Sequence, residues 1–509
     1  MTDAHTMSNM QIKEAGPAAP ILAWLAGEPS ADPVTDLPEL SAMLDALLSA
    51  SLTAVQLRRG LELFAMRFYD VREMLVPRLI ERALPLPADL FNAASELECS
   101  VLMLAKGYIR VMSNPDSGVL TQSRRPEVLA TQALDLLADA LWLAGLKGGA
   151  PRGGVWTEAH RIFHLANAKV GTTTLPAELP HGPVQAAYKR LLSLAAAQPE
   201  ALTARELEWT ARYLDHAARH AELSVQPRTE IETWDYWIDP AQDAGPIATV
   251  RRAPPQVDGL LYFSAAELAR GATAHLEQLE EVLTQSADAI PDGDVADLPA
   301  GLPLADIAKL LRSLRERWAM PPRREHNRRR RQYDVDVCVG LRSVWRLKHA
   351  GEAATQVVKW RVINESPGGY AIMNVEADTG SLSAGMALAL RREPHLPWSV
   401  CVVRWVRSDS PEQVEIGLQV ISSAATPVRI GFRGSKAPGE MLPALVLPPL
   451  AGVRRHQAIL GPAGASHSRR FLLVHESERI YVAQGRLLSL DMQTANVELF
   501  QFEYDPYPL

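Results

Sequence analysis

Six arginines fall within nine residues of this chain. They are Arg323, Arg324, Arg328, Arg329, Arg330 and Arg331, in the stretch "RREHNRRRR". An alternating Val-Asp-Val-Cys-Val run follows at once, so the charge sits at the entry to a strand. Planar guanidinium forks at this density can hold phosphate oxygens, or the O6/N7 edge of guanine, two bonds at a time. A second group stands further on, in "NESPGG": Asn364, Ser366 and Gly369. The asparagine amide carries both donors and an acceptor and can pair with a base edge. Ser-Pro-Gly-Gly makes a tight turn whose glycines let the backbone come close to a ligand.

The elements around these groups follow from periodicity. After residue 332 the apolar period becomes 2, as Val335, Val337 and Val339 alternate with Asp334, Asp336 and Cys338. The strands "TQVVKWRVI", "YAIMNVEA", "GMALALRR", "WSVCVVRWV" and "VEIGLQVIS" are short, consecutive and separated by turns. They read as a small antiparallel barrel over residues 321–425. Ahead of it, Ile307, Leu310, Leu311, Leu314 and Trp318 form one stripe of a helix that Pro321 and Pro322 end. "LRSVWRLKHAGEA" suggests an added turn or short helix after the first strand.

Residues 35–225 are helical by spacing, with a capping box at Thr203 and Glu206. Residues 226–320 mix short strands with helices, and residues 426–509 continue in strands as a further β module. Residues 1–34 have no periodicity and read as a flexible or loosely docked tail. The fold class expected is a multidomain α + β chain. A long all-α N-terminal region precedes a small antiparallel β-barrel and a C-terminal β module.

Composition bounds the function. The 509 residues carry net charge −7, with 47% apolar and 22% charged residues. A soluble multidomain protein is the expectation, and any anion site must be local. Net negative charge, and a basic run without interleaved aromatics, count against nucleic acid, which stays as an alternative use of the same arginines. Cys99, Cys338 and Cys401 are far apart, giving neither a disulfide framework nor a zinc ribbon and pointing to a reducing compartment. No uninterrupted apolar run reaches the ~18 residues of a membrane span, and the expected location is the cytoplasm. The pairs His160/His164 and His216/His220 have helical i,i+4 spacing but no third ligand, so no metal is expected. No nucleophile elbow, P-loop or dinucleotide fingerprint is present, and no catalytic residue is assigned.

Arg324-x-x-x-Arg328 ahead of a strand, followed by Asn364-x-Ser366-x-x-Gly369, resembles the PilZ domain family of bacterial cyclic di-GMP receptors. "VRWVRSDSPEQVEIGLQV", with Trp405 and Gly417, resembles that family's closing hairpin. The resemblance implies that the arginines grip phosphates and guanines of cyclic di-GMP while Asn364 and Ser366 read a base. Arg330 and Arg331 take that part if the register slips. It implies a sensor without catalysis or cofactor. The alternative is a PilZ scaffold that no longer binds ligand. In the receptor reading, the helical region would present a surface to a protein partner as the output.

Overall fold

The computed structural model describes residues 19–113, 126–168, 175–227, 235–285, 298–321, 327–374, 381–432, 441–466 and 468–505. Eleven described helices and sixteen described strands build one helical module and two closed barrels.

The helices are α1 (Ala19–Leu25), α2 (Leu37–Ser49), α3 (Ala54–Ile80), α4 (Ala88–Met112), α5 (Pro126–Leu146), α6 (Val155–Asn167), α7 (Pro183–Ala196) and α8 (Ala204–Ala217). Their starts are written locally. Thr53 and Gln56 exchange backbone and side-chain bonds at 3.1 and 3.3 Å, and Thr203 and Glu206 do the same at 2.8 and 3.3 Å. Helix α5 passes the length and composition test for a membrane span, with a mean hydropathy of 1.3. Here it lies at the centre of the module, packed by α4, α6, α7 and α8.

Two features correct the sequence reading. The segment read as a tail up to residue 34 begins to pack earlier, because Ile21 and Leu25 of α1 are buried in the helical core. The region 226–320 shares that core. Strand β1 (Glu222–Ser224), just ahead of the region, forms one sheet with its strands β2 (Tyr236–Ile238), β3 (Ile247–Ala248) and β4 (Leu261–Ser264). With helices α9 (Ala266–Gln285) and α10 (Leu304–Ala319) they bury Phe263, Leu279 and Trp318 against that core.

The middle barrel is closed and antiparallel. It comprises β5 (Arg329–Val339), β6 (Val358–Ser366), β7 (Gly369–Asn374), β8 (Ala387–Arg391), β9 (Ser399–Ser410) and β10 (Gln413–Ser422), in the order β10-β7-β6-β5-β8-β9. The added helix is present as α11 (Leu341–Ala350). The last strands, β11 (Thr426–Phe432), β12 (Leu442–Leu447), β13 (Ala458–Pro462), β14 (Arg470–Glu476), β15 (Ile480–Gln493) and β16 (Val497–Tyr504), close a second barrel of their own.

The three modules touch one another. Val344, Trp345 and Leu347 of α11 pack with Val400 and Val402 on one side and Leu445, Leu460 and Leu499 on the other, so the barrels share a core. Leu84 and Leu382 exchange two backbone bonds of 2.8 and 2.9 Å between the helical module and the middle barrel. Ser408 N–H donates to the Gly148 carbonyl at 2.8 Å. Gly148 has φ +84°, and a Cβ there would lie 2.6 Å from Leu84, so only glycine fits this joint.

Charges between the helices give a pH signature. Asp135 on α5 has its carboxyl pushed up to about 6 by burial, against the nearby Arg190. A carboxyl raised in the fold stabilises the protonated native state, and that stability fades as pH rises through 6. Asp135→Asn should therefore stabilise the chain relative to wild type at pH 8 but not at pH 4, measured by urea unfolding. Equal differences at both pH values would contradict the assignment.

Candidate functional site

The sequence reading places Arg329, Arg330 and Arg331 ahead of the first barrel strand. The structure corrects this: β5 begins at Arg329, immediately after Arg328. Arg329 lies opposite Glu365, and Arg330 opposite Asn364. A bulge between Arg330 and Tyr333 absorbs one extra residue. That bulge hides the strand start from a simple period-2 reading.

A second bulge, at Ile363, decides where the asparagine points. Val362, Ile372, Ile416 and Val406 lie side by side across β6, β7, β10 and β9 and fill the barrel interior. The extra residue shifts the phase of β6, so that Asn364 pairs with Ala371 on the next rung, which faces out. That rung runs Arg330–Asn364–Ala371–Gly417–Trp405 through five strands. One end carries a guanidinium and an amide, the middle is a floor of small residues, and the far end is an indole.

Two glycines are required by close approach. A Cβ on Gly417 would lie 1.9 Å from the Trp405 Nε1, so the indole rests on bare backbone. A Cβ on Gly369 would lie 2.0 Å from the Leu418 carbonyl oxygen. Ser366 Oγ donates to the Gly369 carbonyl at 3.3 Å across the turn, and Val420 N–H donates to Gly368 at 3.0 Å. The NxSxxG turn is thereby held against β10.

Beside the rung, Asn327, Arg329, Glu365, Ser366 and Pro367 line a cleft of about 520 Å³. This falls within the roughly 300–1,000 Å³ of small-molecule sites. Glu365 anchors its rim. Its carboxylate accepts from the Tyr333 hydroxyl at 2.5 Å and pairs with Arg331 at 3.3 Å. Arg392 stacks over the Tyr333 ring at 4.5 Å. Burial raises the Tyr333 hydroxyl pKa, and the bond to Glu365 adds to it. The Arg328 charge reaches Glu415 on β10, whose carboxyl is raised by burial and lowered in turn by Arg407 and Arg328.

The structure thus places Arg328, Arg329 and Arg330 at the start of β5 facing the β6–β7 turn that carries Asn364, Ser366 and Gly369, with Arg330 on the rung of Asn364 and Arg329 on the rung of Glu365. Arg331 is committed to Glu365. Arg323 and Arg324 lie outside the described residues. Sequence reasoning missed Glu365, Tyr333 and Arg392, although Glu365 sits inside the motif itself and its charge could have marked it. It also left Trp405 as a hairpin residue without a role.

No metal cluster of three or more His, Cys, Asp or Glu side chains occurs among the described residues. His160 is a core residue. Its ring nitrogens meet the Tyr188 hydroxyl at 2.7 Å and the Ala244 carbonyl at 3.0 Å, and burial pulls its pKa down to about 4.

Comparison with known proteins bears on the fold of both the helical module and the middle barrel. Residues 19–229 match the profile described as the N-terminal domain of the cyclic-di-GMP receptor FimW. Residues 346–427 match the profile of that receptor's middle PilZ domain. The matched barrel segment contains Asn364, Ser366 and Gly369, while the arginines precede it. One curated relative, the cyclic-di-GMP receptor FimW of Pseudomonas aeruginosa, is 30% identical over 146 residues. Those residues are 28% of this chain and 23% of the relative, so the match spans about a quarter of its length.

Proposed function

The middle barrel belongs to the PilZ family, and from that premise we propose that this chain is a receptor for cyclic di-GMP with no catalysis of its own. The observation that supports it most is the outward rung. A guanidinium and an amide at one end can take a phosphate and a purine edge. The Trp405 indole covers Gly417, and Ala371 is buried beside it, so the open part of the rung is its polar end at Arg330 and Asn364. Arg328, just ahead of β5, supplies a second fork over the same face.

A bidentate arginine–guanine contact is worth ~1–3 kcal/mol, or roughly 5- to 150-fold in affinity. Arg328→Ala and Asn364→Ala should each weaken cyclic di-GMP binding by about that factor in calorimetric titration. Arg331→Ala should change it less, because its guanidinium already neutralises Glu365. Reversed ranking, with Arg331→Ala the most damaging and Arg328→Ala silent, would move the site to the slipped register. Unchanged curves for all three variants would favour the scaffold reading.

The output follows from how the modules join. Residues 320–328 connect α10 to β5, so a ligand held by the arginines bears directly on the last helix of the helical module. The helical module then offers a protein partner a surface that ligand repositions, in the cytoplasm. Small-angle scattering with and without cyclic di-GMP tests this step. Superimposable profiles at saturating ligand would remove interdomain motion from the account and leave the receptor reading standing.

A further inference from the structure

A cavity of about 400 Å³ lies where the three modules meet, away from the rung. Its walls include Arg312 and Arg317 of α10, Arg404 of β9, and Gln493 and Thr494 at the end of β15. Arg404 is there because of a third bulge. Trp405 pairs with Gly417 and Val403 with Leu418, so Arg404 is the extra residue, turned out of the ladder.

Two of the guanidinium groups lack a carboxylate partner. Arg317 spends its fork on the carbonyls of Ala197 and Ala201, at 2.7 and 3.1 Å. No ion pair within 4 Å involves Arg317 or Arg404 among the described residues. Burial pulls the Arg317 pKa down to about 10, and the charge of Arg404 adds to that pull against Glu206. Arg404 stays open to solvent on one side, and its pKa is lowered by desolvation from the surrounding atoms, opposed by Glu316.

The carboxylates lining the cavity are largely engaged elsewhere. Glu206 closes the capping box with Thr203, and Asp491 accepts from Ser489 and Gln501. Glu316 faces both guanidinium groups but pairs with neither within 4 Å. Two cations held close without contact to an anion make an unfavourable arrangement that a small anion would relieve.

We propose that this cavity is a second ligand site, taking a compact polyvalent anion of the phosphate-ester or pyrophosphate class between Arg404 and Arg317. The ligand would bridge the middle barrel to α10, one residue along β9 from Trp405. The site does not depend on the cyclic di-GMP reading.

The test is calorimetric titration of the full chain with pyrophosphate at ionic strength fixed by sodium chloride. Wild type should give saturable binding, and Arg404→Glu should weaken it roughly tenfold or more. Arg404→Gln serves if the charge reversal disturbs folding, which far-UV circular dichroism reports. Arg328→Ala should bind pyrophosphate as wild type does. Absence of saturable heat, or equal binding by wild type and both Arg404 variants, would overturn the proposal. Loss of binding in Arg328→Ala would also overturn it, by assigning the anion to the arginine arm.

Discussion

Trp345→Ala is expected to cost about 3–5 kcal/mol, the range for emptying a buried aromatic site. Trp345 is 9% exposed and stands between the two barrels. Its indole N–H donates to the Val428 carbonyl at 2.8 Å, and Arg429 lies over its ring at 4.8 Å. Truncation leaves a cavity in the shared core and an unpaired carbonyl at its edge. Urea unfolding followed by fluorescence and circular dichroism should show the barrels separating into two transitions. A loss below about 1 kcal/mol, with one transition kept, would mean that the apolar seam does not hold them together.

Gly369→Ala is the second large effect. A Cβ at this position meets a backbone oxygen at 2.0 Å, which no rotamer change can relieve. Either β7 moves away from β10 or the turn at 366–369 opens. The cost should reach about 3 kcal/mol, the upper range for overpacking. Cyclic di-GMP affinity should fall with it, because the same turn positions Asn364 and Ser366. Thermal denaturation and titration of the one variant check both halves. A stable Gly369→Ala protein with wild-type affinity would contradict the turn's role.

Much of this architecture was legible in the sequence. Period-2 runs of valine and isoleucine marked the middle barrel, and the Thr203–Glu206 pair marked the start of α8. The short helix after β5 was readable from "LRSVWRLKHA". The start of β5 was not, because Arg329 to Gln332 offers no apolar residue to alternate and the bulge breaks the phase. Helix α1 was missed because it is short and, among its described side chains, Ile21, Trp24 and Leu25 reach the core without a repeated period.

The candidate site divides in the same way. Arg328, Asn364, Ser366 and Gly369 sit in local motifs, so spacing and the family resemblance could propose them. The rung that joins Asn364 to Trp405 is a property of register among four strands. Register is set by non-local pairing and by the bulge at Ile363, which no window of sequence displays. The joints at Leu84–Leu382 and Gly148–Ser408 are non-local for the same reason.

The receptor account is tested most directly by titrating the intact wild-type chain with cyclic di-GMP, alongside a random-sequence RNA oligomer at the same salt. Saturable binding of the dinucleotide, with no comparable binding of the oligomer, is the result predicted. Binding of the oligomer without the dinucleotide, or of neither, would contradict it.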